Sequence, residues 1–296
     1  MSASQKSMFQ LDPRAKVLVQ GATGRMGSRH TELMKRYGTN IVAGIAGASA
    51  RRDTSDTPLF GHCAEAVAAT GAEASVTLVP PMDVLRAVTE ALQAGIKLIV
   101  SPSEGMPVRD ALHAYAMVKE HGAFWVGPST PGLAIPGRMK LGFIPDVSLK
   151  PGPLGVMSKS GTLSYETCFR LASRGVGQSA WVGVGGDPVK GLRFAELLQF
   201  FQQDASTRAV LVLGEIGGTE EEDLAAEMAR LSFDKPVFVL LAGASAPEGV
   251  TMGHAGALIQ GGRGTIQSKT SALRDAGAEV FTSIESLVEG VASRNV

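Results

Sequence analysis

The segment Met252-Gly-His-Ala-Gly-Ala257 sets a histidine among small residues, so the imidazole of His254 stands on a thin loop with little side-chain bulk to shield it. A neutral imidazole is a competent nucleophile near pH 7, and a carboxylate that accepts from one ring nitrogen fixes which nitrogen attacks. Glu215, at the strand end that opens Gly214-Glu-Ile-Gly-Gly218, is the carboxylate best suited to that role. The other histidines, at 30, 62, 113 and 121, lack comparable glycine framing. Each residue alone also has a plainer reading: His254 as a solvent-facing loop histidine, Glu215 as an acid that complements a helix dipole.

Around this pair the sequence repeats one device. Ser158-Lys-Ser-Gly-Thr162, Val184-Gly-Gly-Asp-Pro188 and Gly214 to Gly218 each leave a strand and lead toward a helix, a form that makes backbone anion nests. In the first, Ser160 and Thr162 are helix-cap candidates, and the exposed N–H groups there, with Gly161 between them, would stabilise a phosphoryl group. Near the start, Gly21-Ala-Thr-Gly-Arg-Met-Gly27 follows a strand and opens a helix from about Met26 to Arg36. There Gly24 and Gly27 let the backbone approach a diphosphate at a helix N-terminus, as in NAD(P), FAD or coenzyme A. The next strand, Ile45-Ala-Gly-Ala-Ser49, lacks the acidic residue that binds the ribose hydroxyls of NAD, so NAD is disfavoured. Arg51 and Arg52 then offer guanidinium groups to an extra phosphate, the 2′-phosphate of NADP or the 3′-phosphate of CoA, unless they are solvated loop charges.

These loops need a scaffold, and the hydrophobic pattern supplies one. With 44% hydrophobic and 19% charged positions, the 296 residues can bury the cores of two domains. Apolar runs at Lys16–Gln20, Ile41–Ile45, Ser75–Val79, Lys97–Val100 and Phe124–Val126 alternate with amphipathic stretches, which predicts an α/β, Rossmann-like, doubly wound parallel sheet over residues 1–130. The Pro- and Gly-rich stretch 131–153 reads as a connector rather than further sheet. A second α/β unit over 154–296, flavodoxin-like, has strands expected at Leu154–Ser158, Ala180–Val184, Ala209–Leu213, Val237–Leu241 and Glu279–Thr282. Lys+Arg and Asp+Glu both total 28, so net charge draws the chain to neither nucleic acid nor an anionic membrane. The start lacks an apolar leader pattern, and no stretch is long and apolar enough for a membrane span, so a cytoplasmic protein is expected. Cys63 and Cys168, without CxxC or His-rich neighbours, read as free thiols, neither a disulfide nor a metal site.

Taken together and in order, Gly21-Ala-Thr-Gly24, Ser103-Glu-Gly-Met-Pro107, Ser158-Lys-Ser-Gly-Thr-Leu-Ser-Tyr-Glu166, Gly183-Val-Gly-Gly-Asp-Pro188, Gly214 to Gly218 and Met252 to Ala257 resemble the alpha subunit of succinyl-CoA synthetase, over about Lys16 to Val280. The resemblance implies that His254 is phosphorylated, that Glu215 is its carboxylate partner, and that the helix opening at Ser160, Gly161 and Thr162 cradles the phosphohistidine. It implies CoA contacts at Thr23, Gly24, Arg25 and Met26 and at Pro102, Ser103 and Glu104, with Tyr165 near a small carboxylic acid substrate. It further implies an ATP-grasp beta subunit that holds ATP or GTP with Mg2+, since this chain carries no Walker-type lysine loop. The phosphoryl group would then travel between nucleotide and acyl sites on His254.

Three loops depart from the family pattern. Ser49 stands where the family has a lysine that meets CoA; Pro80-Pro-Met-Asp83 replaces Pro-Ala-Pro-Phe; and Gly127-Pro-Ser-Thr-Pro-Gly132 replaces Gly-Pro-Asn-Cys-Pro-Gly beside the expected acyl site, a hint that the acid differs from succinate. Two other readings stay open at this level. One is an NADP-dependent reductase, whose cofactor loop Gly21 to Gly27 also resembles, and the other a CoA-sensing module without turnover.

Overall fold

The computed structural model describes residues 10–47, 56–243, 254 and 263–294, and the structural statements that follow refer to these. The first half is a six-stranded, wholly parallel sheet of β1 (Val17–Gln20), β2 (Ile41–Ile45), β3 (Leu59–Phe60), β4 (Ala74–Thr77), β5 (Leu98–Val100) and β6 (Phe124–Val126), ordered β3-β2-β1-β4-β5-β6. Every residue of β1 and β4 is buried, because α1 (Arg25–Tyr37), α2 (Cys63–Thr70), α3 (Val84–Gln93) and α4 (Val108–Glu120) cover the sheet. The order reverses between β1 and β4, which opens a crevice at their carboxyl ends, where Gly21 to Gly27 and Leu78 to Pro81 emerge. The two-residue β3 is too short for any periodic signal in the sequence.

The second sheet has seven strands: β7 (Gly132–Ile135), β8 (Met139–Gly142), β9 (Pro151–Ser158), β10 (Gln178–Gly183), β11 (Ala209–Glu215), β12 (Val237–Ala242) and β13 (Glu279–Phe281), ordered β13-β12-β11-β9-β10-β7-β8. Its parallel part, β10-β9-β11-β12-β13, has the flavodoxin-like order, with α5 (Gly161–Ser173), α6 (Phe194–Gln203), α7 (Glu220–Leu231), α8 (Ile266–Asp275) and α9 (Ile284–Ser293) around it. The crevice of this sheet lies beside β9 and β11, whose carboxyl ends deliver Ser158 and Glu215.

The stretch 131–153 is not the connector expected from its prolines and glycines. It contains the antiparallel hairpin β7–β8, which extends the second sheet by pairing with β10. Its composition reflects close packing: a Cβ on Gly132 would lie 1.9 Å from the Leu141 carbonyl oxygen and one on Gly142 2.6 Å from that of Pro131. A hairpin with four-residue strands and glycines at such crossings has the composition of a loop. The hairpin also joins the halves: Thr39 Oγ1 donates to the Lys140 carbonyl at 2.7 Å, and the Gly142 N–H points to Met34 Sδ at 3.3 Å. One apolar cluster accordingly runs from Val17, Val19 and Met34 through Leu141 to Met157, Val182 and Phe194. Cys63 and Cys168 are buried free thiols, with burial pushing the Cys63 thiol up to about 12. No helix among the described residues is long and apolar enough to cross a membrane.

Candidate active site

The two crevices face a common cavity of about 720 Å³, a size that suits a small-molecule ligand. The first sheet contributes Gly24 to Gly27, Leu78 to Pro81 and Pro102 to Glu104 to its wall, and the second contributes Lys159 to Thr162, Tyr165 and His254. Ser129, Thr130 and Pro131 line the passage between the halves.

His254 Nδ1 lies 2.6 Å from Glu215 Oε2, and since a carboxylate only accepts, the Nδ1 proton is the donor. Nε2 then carries the free lone pair. The imidazole takes the space beside Gly186 that a side chain would need: a Cβ there would fall 2.2 Å from His254 Cγ and 2.4 Å from Nδ1. The glycine in Val184-Gly-Gly-Asp-Pro188 is thus a seat for the ring, which its sequence position alone did not reveal. The hydrogen bond to Glu215 raises the His254 pKa above the ordinary imidazole value; partial burial works against charge, and the charges of Glu215 and Glu104 add to the upward shift. Nearby, burial and the charge of Glu104 push the Asp187 carboxyl upward.

Ser160 is the N-cap of α5, its Oγ accepting from the Leu163 N–H at 3.3 Å. Ser158 Oγ in turn accepts from the Ser160 N–H at 3.1 Å and donates to the Ser160 carbonyl at 2.8 Å, which fixes the entry to the helix. The N–H groups of Gly161 and Thr162 belong to the first turn, where no intrahelical acceptor exists, and both residues line the cavity with His254. Tyr165, one turn on, lies with its ring centroid 6.1 Å from that of Trp181, and its hydroxyl pKa is raised by burial.

The glycines of the first loop divide their work. Gly21 adopts φ +78°, and a Cβ on Gly27 would lie 1.9 Å from the Gly21 carbonyl oxygen, so both close the turn on itself. Gly24 has no such crowding and is the glycine that presents open backbone to the cavity, beside exposed Arg25 and Met26. Pro102, Ser103 and Glu104 face the same space, and the Ser103 carbonyl accepts from the Ser129 N–H at 3.0 Å. Thr23 borders a different, small cavity with Thr31 and Thr57, apart from the large one. Ser49, Arg51 and Arg52 lie outside the described residues. Of the altered Gly127 to Gly132 loop, Thr130 spends its hydroxyl on the Gly183 carbonyl and the Gly132 N–H, leaving Ser129 as its polar side chain at the cavity.

Beneath the histidine lies a group that sequence reasoning missed. Lys159, Lys190, Lys269, Glu220 and Glu221 are all buried and interlinked. Glu220 and Glu221 look like an acidic first turn on α7 and Lys269 like the polar face of α8, so the pattern gives no sign that they point inward.

The family described as CoA binding domain matches residues 12–105 and that described as CoA-ligase matches 157–279. The second match takes in Met252 to Ala257, a segment for which an NADP-dependent reductase has no use. The succinate–CoA ligase [ADP-forming] subunit alpha of Aquifex aeolicus is 45% identical over 279 residues, 94% of this chain and 91% of that protein. Subunit alpha 2 of the same ligase from Archaeoglobus fulgidus is 48% identical over 270 residues, 91% of this chain and 93% of its own length. Among solved structures, ATP citrate lyase from Methanothrix soehngenii, in complex with citrate and coenzyme A, superposes with a TM-score of 0.83 at 25% identity, over 95% of this chain and 50% of that one. This chain therefore spans about half the length of that larger polypeptide.

Proposed function

The chain belongs to the succinate–CoA ligase alpha-subunit family, the alpha part of an acid:CoA ligase, and from that premise we propose that His254 is its phosphoryl carrier, Glu215 the carboxylate that orients it, and the N-terminus of α5 the cradle of the phosphorylated ring. The observation that carries this reading is the 2.6 Å bond from His254 Nδ1 to Glu215, which leaves Nε2 as the nucleophile in a cavity shared with Gly161, Thr162 and the Gly24 loop. The first sheet and its helices, up to about residue 130, form the CoA-binding unit, and the second sheet, with hairpin β7–β8 and all of β9, forms the phosphohistidine-carrying unit. A beta subunit supplies the nucleoside triphosphate, ATP or GTP, with Mg2+.

In the acid-activating direction, the Nε2 lone pair attacks the γ-phosphorus and the nucleoside diphosphate leaves, while the proton stays on Nδ1, hydrogen-bonded to Glu215. The developing charge on the phosphoryl oxygens meets the first N–H groups of α5 and the positive end of its dipole. A carboxylate oxygen of a small acid held near Tyr165 and Ser129 then takes the phosphoryl group, the N–P bond breaks, and an acyl phosphate forms. The CoA sulfur attacks the acyl carbon, its thiol proton is released, and orthophosphate leaves as the thioester forms. Gly24, Arg25, Met26, Pro102, Ser103 and Glu104 support a CoA site on the opposite wall, from which the thiol reaches the same chamber.

The test is turnover with and without the beta subunit. The purified chain alone is expected to be inactive with ATP or GTP, acid and CoA, and the complex to release nucleoside diphosphate in an acid- and CoA-dependent manner. His254→Asn in the complex should abolish turnover while leaving the circular dichroism spectrum unchanged. Activity of that variant complex overturns the carrier assignment, and activity of the lone chain overturns the need for a partner.

A further inference from the structure

The buried charges beneath His254 touch the backbone on which the site is built. Lys269 Nζ donates to the carbonyl of Glu215 at 2.7 Å and of Gly217 at 2.6 Å, and also to Glu221 Oε2. Glu221 Oε1 accepts from the Glu215 N–H at 3.0 Å, so the peptide groups on both sides of Glu215 are held by one ion pair. No side chain fits at the preceding position, where a Cβ on Gly214 would lie 2.4 Å from Glu221 Oε1. On the other side, Lys190 Nζ pairs with Glu220 at 2.7 Å and donates to the Gly185 carbonyl at 2.7 Å, next to the Gly186 backbone on which the imidazole rests. Lys159 joins the two halves of the network, 2.9 Å from Glu221 and 3.8 Å from Glu220.

A network of three lysines and two glutamates in the interior is a poor source of stability, because each charge loses its hydration. Burial lowers the pKa of Lys190 and Lys269, against the opposing pull of Glu220 and Glu221. What the network offers is direction: Lys269 and Lys190 are each held by a carboxylate of α7 and each donate to a carbonyl of one of the two backbone segments that meet at the imidazole. We propose that Lys269 and Lys190, anchored by Glu221 and Glu220, are positioning residues for phosphoryl transfer that lock the Glu215 and Gly185 segments, and hence carboxylate and imidazole, in register. This rests on His254 being the phosphoryl carrier.

The test is single-turnover phosphorylation of the alpha–beta complex by γ-labelled nucleoside triphosphate, in which the amplitude reports the folded, competent fraction and the rate constant reports site geometry. Lys269→Met alone leaves Glu221 with Lys159 as its remaining partner and frees the Glu215 and Gly217 carbonyls, and is expected to lower both. The double variant Lys269→Met, Glu221→Met removes one lysine and one glutamate together and leaves Lys159 beside Glu220, so the net buried charge is unchanged, an exchange that a protein interior commonly tolerates. Its amplitude should return toward wild type while its rate constant stays about a hundredfold low, the effect expected when a reacting group is misplaced by roughly an ångström. A double variant with full amplitude and a wild-type rate constant overturns the proposal and leaves the network a purely structural one. Should that protein fail to fold, Lys190→Met with Glu220→Gln interrogates the Gly185 segment independently: a slowed rate constant supports the proposal, and an unchanged one overturns it. Absence of acid-labile label from His254 in wild type is a separate outcome, which removes the functional reading itself.

Discussion

The loop that reaches the cavity from the first sheet and the histidine site that faces it from the second both serve phosphate chemistry in the proposed function, and they are built by opposite means. The loop takes its shape from glycine contacts, Gly27 against the Gly21 carbonyl and Gly21 against that of Leu78, and meets the cavity with backbone and the exposed Arg25. The histidine site stands on buried lysines and glutamates that grip its backbone from below. A loop that binds a preformed diphosphate needs only donors facing the right way, and a helix N-terminus provides them without side-chain charge. A histidine that forms and breaks a bond to phosphorus needs one nitrogen free and a fixed ring angle in both states, and fixed dipoles and charges are suited to that.

The sharpest way to break this contrast is at Glu215. Glu215→Gln is expected to slow phosphorylation of His254 by about a hundredfold or more, the scale seen when a preorganised electrostatic partner is removed. The glutamine amide can also donate to Nδ1 and so select the wrong tautomer. The pH dependence should move with it. Phosphorylation requires neutral imidazole, and Glu215 raises the wild-type pKa, so the rate should fall on acidification at a pH above that of an ordinary imidazole. In Glu215→Gln that fall should shift to lower pH, which single-turnover rates measured from pH 5 to 9 would detect.

Gly186→Ala comes next. Its methyl would overlap the ring, 2.2 Å from Cγ, and should slow phosphorylation by at least about tenfold while CoA affinity stays at the wild-type value. Gly27→Ala is the mirror experiment, because its methyl would strike the Gly21 carbonyl. It should weaken CoA binding about tenfold by calorimetry and destabilise the first domain by about 1–3 kcal/mol, yet leave phosphorylation by nucleoside triphosphate at the wild-type rate. Were either variant to disturb both functions equally, the cavity would be one mechanical unit rather than two walls of different construction. The smallest effect is expected at Ser160→Ala, where loss of the cap should cost about 1 kcal/mol in thermal or denaturant unfolding and slow phosphorylation only a fewfold.

What could be read in the sequence, and what could not, follows the same division. The parallel strands are legible because burial on both faces leaves uninterrupted apolar runs such as Val210 to Leu213, and the glycine loops because their residue types are dictated by backbone geometry. His254 and Glu215, 39 positions apart, are legible as a pair through the family motifs, and the fold brings them to 2.6 Å. The hairpin β7–β8 is not, since strands with glycine at every close crossing resemble a linker. Nor are the buried charges: Glu220-Glu-Glu-Asp223 at a helix start has an ordinary explanation in the helix dipole, and only the tertiary structure turns Glu220 and Glu221 toward Lys159, Lys190 and Lys269. Thr23 shows the limit in the other direction, a motif residue that the fold turns toward a separate small cavity.

The atom that receives the phosphoryl group tests the roles of His254 and Glu215 most directly. The alpha–beta complex, prepared with 15N-labelled histidine and phosphorylated by nucleoside triphosphate, can be examined by 31P–15N NMR together with mass spectrometric mapping. The hydrogen bond from Nδ1 to Glu215 predicts one acid-labile phosphate, on His254, with phosphorus coupled to Nε2. Phosphorus bonded to Nδ1 would contradict the role given to Glu215, and phosphate on any other residue would contradict the assignment of His254.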